Sequence, residues 1–226
     1  MVVSIICPVW NRADLTMKFL SSHWRLYTQR KDVEIIIIDN GSTDPTPMAL
    51  GQWADVFGDR MTVIRNKDNK GFGAANNQGA AIAHGNVLIF ISNDVMINGD
   101  YVTLIEKRLV GADVLLGPNL LVHNTGWNVF HKDGKEILIP YLEGWCIAAN
   151  RTTWETLGGW DERYYPSDYE DSDLSYTAAL KGIQLVSIGL PLRHLFGQSA
   201  QQIAGGRLAA THRNRQRFME KWGLDE

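Results

Sequence analysis

Cysteine is scarce in this 226-residue chain: Cys7 and Cys146 stand far apart, each in an apolar setting. Neither a disulfide framework nor a cysteine metal pair can be built from them, and both read as packing residues. Long apolar runs are lacking too. None approaches the ~18 residues that suggest a bilayer-spanning helix, and Met1 leads straight into a strand pattern without a signal-peptide motif. The expectation is a cytoplasmic protein with no transmembrane segment, whose membrane contact would be peripheral. Basic charge is not in excess, since the formal net charge is −3 with 21% charged residues. Nucleic acid is therefore not an expected partner. No linker-like tract, internal repeat or low-complexity segment divides the chain, which reads as one domain over residues 1–226.

Several chemical signatures are missing as well. The first strand is not followed by a glycine-rich turn, as a dinucleotide fold would require. GFGAANNQG has glycines, but it follows the charged loop NKDNK, and Asn76 stands where the third glycine should be. A lysine-bearing phosphate loop and a Ser/His/Asp set in a nucleophile elbow are absent too. What is present is an alternation of strand and helix patterns. Val87 to Val95, VLIFISNDV, is a buried strand that ends abruptly in Ser92, Asn93 and Asp94. In an open α/β sheet ligands bind beyond the carboxyl ends of the strands, so Asp94 would stand at the mouth of a site. One acid there can hold a divalent cation, and the cation a diphosphate; the plainer alternative is a strand-terminating turn.

VVSIICPVW reads as a strand broken by Pro8, followed by a helix from Ala13 to Gln29. Val33 to Ile38 is a second buried strand, also ending in an acid, Asp39. Asp44 reads as an N-cap, with Pro45 at the first helical position. Met61 to Arg65 is a short strand, and the alanine-rich helix after it is closed by Gly85. Helices are expected over Tyr101 to Val110, Asn150 to Leu157, Leu174 to Lys181 with Gly182 at C′, and Gln201 to Trp222. Between His123 and Tyr141 the pattern is irregular, with strand-like pieces at Trp127 to Phe130 and Ile137 to Ile139. The fold class is α/β: a mostly parallel central sheet flanked by helices, with a small mixed second sheet. Such a sheet brings Asn11/Arg12, Asp39 and Asn93/Asp94 to one edge. Glu170/Asp171 and His194 join them if the second half folds back.

PVWNR, IIIIDNGSTD, NKGFGAANNQG, FISNDV, GGWDERY with YEDSDL, and RHLFGQS stand in this order from Val3 to Gly197. Together they resemble the motifs of the inverting family 2 glycosyltransferases, which have the GT-A fold. DNGSTD with NKGFGAANNQG is most similar to the rhamnosyltransferase-like subgroup. The resemblance implies a nucleotide-sugar half at 1–98, an acceptor and catalytic half at 99–197, and a C-terminal helix at 198–226. It implies that Pro8, Trp10 and Arg12 line the base pocket and that Asp39 bonds the base or ribose. Asn69, Gly71, Asn76, Asn93 and Asp94 complete the donor set. Turn geometry alone would account for the glycines, and core packing for Trp10.

The resemblance further implies Asp94 and His194 as ligands of Mn2+ or Mg2+, with Ser92 standing where the metal motif more often has an acid. It makes Asp171 the general base. A helix N-terminus would lower the pKa of Asp171, whereas Glu170 and Asp173 beside it would raise it; Asp173 itself reads as a helix cap. Glu143, Trp145, Trp160, Asp161 and Glu170 would border the acceptor pocket. The implied partners are a nucleotide-diphosphate sugar, such as a UDP- or dTDP-sugar with dTDP-rhamnose among them, and a glycan or lipid-linked acceptor. The competing readings are a non-catalytic sugar-nucleotide or glycan-binding module and a nucleotidyltransferase.

Overall fold

The computed structural model describes residues 2–28, 30–123, 129–195 and 206–225. The first half winds as its apolar runs dictate: β1 (Val3–Val9), α1 (Ala13–Tyr27), β2 (Val33–Asp39), α2 (Thr46–Phe57), β3 (Met61–Arg65), α3 (Phe72–Ile82) and β4 (Val87–Ile91). There follow β5 (Val95–Ile97), α4 (Tyr101–Leu109), β6 (Val114–Gly117), β7 (Leu120–His123), β8 (Phe130–Lys132), β9 (Lys135–Ile137) and β10 (Ile139–Leu142). The chain continues with β11 (Cys146–Asn150), α5 (Arg151–Leu157), α6 (Glu170–Leu180), β12 (Gln184–Ser187), β13 (Leu192–His194) and α7 (Arg207–Trp222).

Seven strands form one sheet in the order β12-β6-β11-β4-β1-β2-β3. All its pairings are parallel except those of β11, which runs antiparallel to β4 and β6. The remaining strands form small antiparallel pairs, β7 with β10, β5 with β13 and β8 with β9.

Both faces of the central strands are covered, which is why β1 and β4 are buried at every position. Val3, Ile5, Cys7 and Val9 pack with Phe19 and Leu20 of α1, Leu50 of α2 and Ile105 of α4. Ile6, Leu88 and Phe90 meet Ala75 and Ala80 of α3, Trp154 of α5 and Leu174 of α6 on the other face. Each such apolar side chain contributes about 1.5–3 kcal/mol by leaving water. A third cluster, Phe130, Tyr164, Tyr169 and Phe218, seats α7 on the second half of the chain. Both cysteines are buried and unbridged.

Four local expectations change. Pro8 does not break β1, because it pairs in register with Ile38. The Val9 carbonyl accepts the Asn40 N–H on the β2 side, so alternation turns the Pro8 nitrogen toward β4, whose last pair with β1 is Ile6↔Phe90. No ladder bond is needed there, and proline is tolerated. Gly85 does not cap α3, which ends earlier; a Cβ at this glycine would lie 2.5 Å from Ser4 Oγ, so glycine permits close approach to β1. Asp44 stands one residue ahead of the N-cap. Its carboxylate accepts N–H bonds from Thr46 and, across the loop, from Ala13, and so ties together the starts of α1 and α2. α6 begins at Glu170 rather than Leu174, so the acidic cluster supplies its first turn. Gly182 does follow the helix with φ +73°. Trp127, the start of the last helix at Gln201, and Phe196 to Ser199 of the RHLFGQS motif lie outside the described residues.

Candidate active site

The sheet determines what meets at its carboxyl edge. β1 and β4 run parallel and release Trp10 and Ser92–Asp94 on the same side. β11 runs the other way, with Cys146 opposite Ile91, so the residues entering β11 rather than leaving it, Glu143 to Trp145, arrive at that edge. Ser92 N–H donates to the Trp145 carbonyl. β13 pairs with β5 in the register His194↔Val95, and Leu195 N–H donates to the Asp94 carbonyl. A residue 100 positions downstream is thereby set beside Asp94.

These segments surround a cavity of about 790 Å³ whose lining includes Pro8, Trp10, Asn40, Asn69, Asn93 and Asp94. Its further walls carry Glu143, Trp145, Glu170, Asp171 and His194. At one end Asn40 Nδ2 donates to Asn69 Oδ1 and to the Gly71 carbonyl, while its Oδ1 accepts from Asn66 and from Lys70 N–H. At the centre Asp94 Oδ1 lies 3.3 Å from His194 Nε2. The Trp145 indole stacks on that imidazole, with centroids 5.1 Å apart and planes at 16°, and its Nε1 donates to Glu143. A carboxylate and an imidazole at this spacing fit neighbouring ligands of one divalent cation, since bonds of roughly 2.1 Å place adjacent ligand atoms roughly 3 Å apart. No third carboxylate, imidazole or thiol joins them among the described residues. The donor set suits a cation that takes its remaining ligands from water and phosphate oxygens.

Asp171 opens on the same cavity from the first turn of α6. Its Oδ2 accepts the Gly144 N–H at 3.0 Å and its Oδ1 the Ser172 N–H at 2.7 Å. Both bonds favour the ionised form. Burial opposes them and wins, with Asp168 adding to the effect, so the carboxyl titrates above the ordinary aspartate range. Asp173 plays no part in this and caps nothing. Its carboxylate is turned away and accepts from Tyr164, Lys221 and Trp222.

Other sequence-derived candidates lie off the cavity lining. Asp39 is 1% exposed; its Oδ1 accepts the Ser42 N–H, and its carboxylate faces Arg65 at 3.4 Å beside a smaller hollow next to α2. Arg12 is bound to Asp14. Gly71 is at φ +90°, and a Cβ there would lie 3.0 Å from the Tyr165 ring and 3.2 Å from the Pro166 carbonyl, so glycine permits the close approach. Asn76 is fully buried in α3 and donates to the Phe72 carbonyl. Trp160 is a core residue, edge-on to Phe72 and Phe90. Asp161 is bound by Arg163 and Lys221, which hold its carboxyl below the usual range.

Sequence reasoning did not name Asn40, His123, Tyr141, Asp168, Tyr169, Arg207 or Thr211, all of which line the cavity. His123 stacks between Tyr141 and Tyr169, bonds Ser172 Oγ at 2.8 Å, and is pushed down to about 4 by burial. Only Asn40 carried a signal, being next to Asp39 at the end of a buried strand. The others come from the short strands β7 and β10, from the loop before α6, or from α7, where no periodicity points to a site.

The comparisons agree with this geometry. Residues 4–160 match the model for "Glycosyl transferase family 2". Glycosyltransferase GlyA of Streptococcus pneumoniae is 30% identical over 118 residues, covering 51% of this chain and 16% of its own. The poly(ribitol-phosphate) beta-glucosyltransferase of Bacillus spizizenii is 31% identical over 100 residues, covering 44% and 16%. This chain thus spans about a sixth of the length of these relatives. Among solved structures, the mannosyltransferase PcManGT of Pyrobaculum calidifontis, in complex with GDP-Man and Mn2+, superposes with TM-score 0.66 at 20% identity, over 83% of this chain and 54% of its own. The shared architecture is the GT-A fold. On the match over residues 4–160, this chain belongs to the glycosyl transferase family 2.

Proposed function

We propose that this protein transfers a sugar from a nucleotide-diphosphate donor to a hydroxyl of a glycan or lipid-linked acceptor, with inversion at the anomeric carbon. The observation that carries the reading is that Asp94 with His194, and Asp171, line one cavity although they are far apart in the chain. Trp10 and Asn69 form the end that receives the base and ribose, where an aromatic face and an amide suit a heterocycle, and Asn40, its amide engaged within the protein, holds Asn69 in place. Asp39 acts one step removed, by holding the loop that follows Asn40 through Ser42. The DNGSTD and NKGFGAANNQG motifs support a UDP- or dTDP-sugar, dTDP-rhamnose included.

Asp94 and His194 would hold a divalent cation, Mn2+ or Mg2+, which when bound neutralises charge developing on the leaving diphosphate. Asp171 accepts the proton of the attacking hydroxyl at whichever oxygen faces it, while Gly144 and Ser172 N–H groups fix the carboxylate's orientation. A raised pKa makes it a stronger proton acceptor than an exposed aspartate would be. The aromatic faces of Trp145 and Tyr141 suit the CH surface of a sugar, and Glu143, pinned by Asn119 and Trp145, borders the same space. No helix among the described residues is long and apolar enough to cross a membrane.

The test is a screen of UDP-, dTDP- and GDP-sugars, with and without Mn2+, for thermal stabilisation and for nucleoside diphosphate release with acceptors. The anomeric configuration of the product is then read by NMR. Release with inversion supports the reading. Donor binding without transfer to any acceptor would leave a binding module, and retention of configuration would remove Asp171 from its role.

A further inference from the structure

Glu170 is buried in the site, yet the reaction outlined above leaves it without a task. Its side chain is 6% exposed and lies on the cavity wall, and its Oε2 has no hydrogen-bond partner among the described residues. Asp171 follows it and Asp168 shares the wall. Arg207, the one lysine or arginine of that lining among the described residues, is bound to Asp168 at 2.8 Å, and Thr211 donates to the same carboxylate. Burial, then Asp171 and Asp168, raise the Glu170 carboxyl well above the ordinary glutamate range. A protonated carboxyl presents one O–H donor and a carbonyl acceptor. Left without a partner, Oε2 is costly to keep buried, and the carboxyl that carries it offers a donor and an acceptor to what fills the cavity. Something with a donor and an acceptor on the same atom is needed to satisfy them, and a sugar hydroxyl has both.

We propose that Glu170 selects the acceptor: it receives an uncharged sugar or polyol through a hydroxyl near the reacting one, and the wall of Asp168, Glu170 and Asp171 turns away acceptors carrying a carboxylate or phosphate there. This rests on the transferase reading above. The selectivity is partly attractive, through the Glu170 pair of hydrogen bonds, and partly repulsive, because an anion would enter a poorly solvated space already holding like charge. The aromatic rings of Tyr141 and Tyr169, which line the same cavity, add apolar contact that is indifferent to charge, so they do not blur the discrimination.

The experiment takes the donor found by thermal shift and measures acceptor kinetics with matched glycosides on one aglycone: neutral hexosides, the corresponding uronides and sugar phosphates, and the amino sugars. The expected result is that kcat/KM for the neutral acceptor exceeds that of the uronide and phosphate by about tenfold or more. Glu170→Ala is expected to raise the acceptor KM by about tenfold with the donor Kd retained, and Glu170→Gln, which keeps a donor and an acceptor in place, to recover most of that loss. Equal use of neutral and anionic acceptors overturns the proposal. So does a tenfold preference for the amino sugar, which would mean an ionised Glu170, or donor binding without turnover of any neutral acceptor. Failure to bind any nucleotide sugar defeats the transferase reading and this inference with it, whereas donor turnover indifferent to acceptor charge defeats the inference alone.

Discussion

In the proposed reaction Asp171 joins two requirements in one side chain, since a base must be held in place and must also keep its affinity for a proton. The N–H groups of Gly144 and Ser172 do the holding, while burial and Asp168 keep the affinity high. Asp171→Asn is expected to lower kcat by about 10²–10⁴, with a far smaller effect on donor KM, as measured by nucleoside diphosphate release. The acid limb of the pH–kcat/KM profile should lie above the ordinary aspartate range, because activity falls as the base is protonated. The stability consequence has the opposite sign. An acid whose folded pKa is raised destabilises the fold at pH values above that pKa, and the cost vanishes below the unfolded pKa. Asp171→Asn should therefore stabilise the fold at pH 8 by on the order of 1 kcal/mol, seen as a higher Tm, and leave Tm nearly unchanged at pH 4. Differential scanning fluorimetry at the two pH values checks it; a lower Tm at pH 8 would show that the N–H bonds outweigh burial.

Between residue and whole molecule, the site depends on where short elements stop and how closely they pass. Gly144 precedes β11, and a Cβ there would lie 3.0 Å from the Asp171 Cβ. Gly144→Ala is expected to displace the base, lowering kcat by about tenfold or more at modest cost to Tm, since small misplacements of a reacting group are expensive in rate. α7 is held in a different way. Asp173, buried in α6, accepts from Lys221 and Trp222 of α7 and from Tyr164. Asp173→Ala would strand three donors and should cost about 2–3 kcal/mol, several degrees of Tm in thermal unfolding. The first-half elements were legible in the sequence because buried parallel strands announce themselves: VEIIII and VLIFI have almost no alternative reading. Pro8, Gly85 and the start of α6 were not, for a common reason. Each depends on what the neighbouring strand or loop does at that level, and a single stretch of sequence does not contain its neighbour. The same limit explains why Asp173 read as a cap, since two of the three groups that claim it come from a helix almost 50 residues later.

At the scale of the whole molecule, the antiparallel strand β11 makes two halves into one site. A wholly parallel sheet would bring only strand exits to the carboxyl edge; β11 brings an entrance, and Glu143, Gly144 and Trp145 with it. Trp145 then stacks on His194, which the β5–β13 pair has already set against Asp94. Each half of the chain thus offers one group of a type that can ligate a metal, and among the described residues no third joins them. Two ligands are too few for tight binding of a hard cation, which takes six or more oxygen or nitrogen atoms, so phosphate oxygens and water must complete the shell. Cation and nucleotide should therefore bind with positive coupling, and reciprocally so. In a fluorimetric matrix of Mn2+ against the nucleoside diphosphate of the donor, Mn2+ alone should shift Tm little. The two together should shift it by more than the sum of the separate shifts, and the excess should vanish in His194→Ala and Asp94→Ala. A full shift with Mn2+ alone would mean a complete protein site that this arrangement does not contain. An excess surviving both substitutions would mean that the cation binds elsewhere.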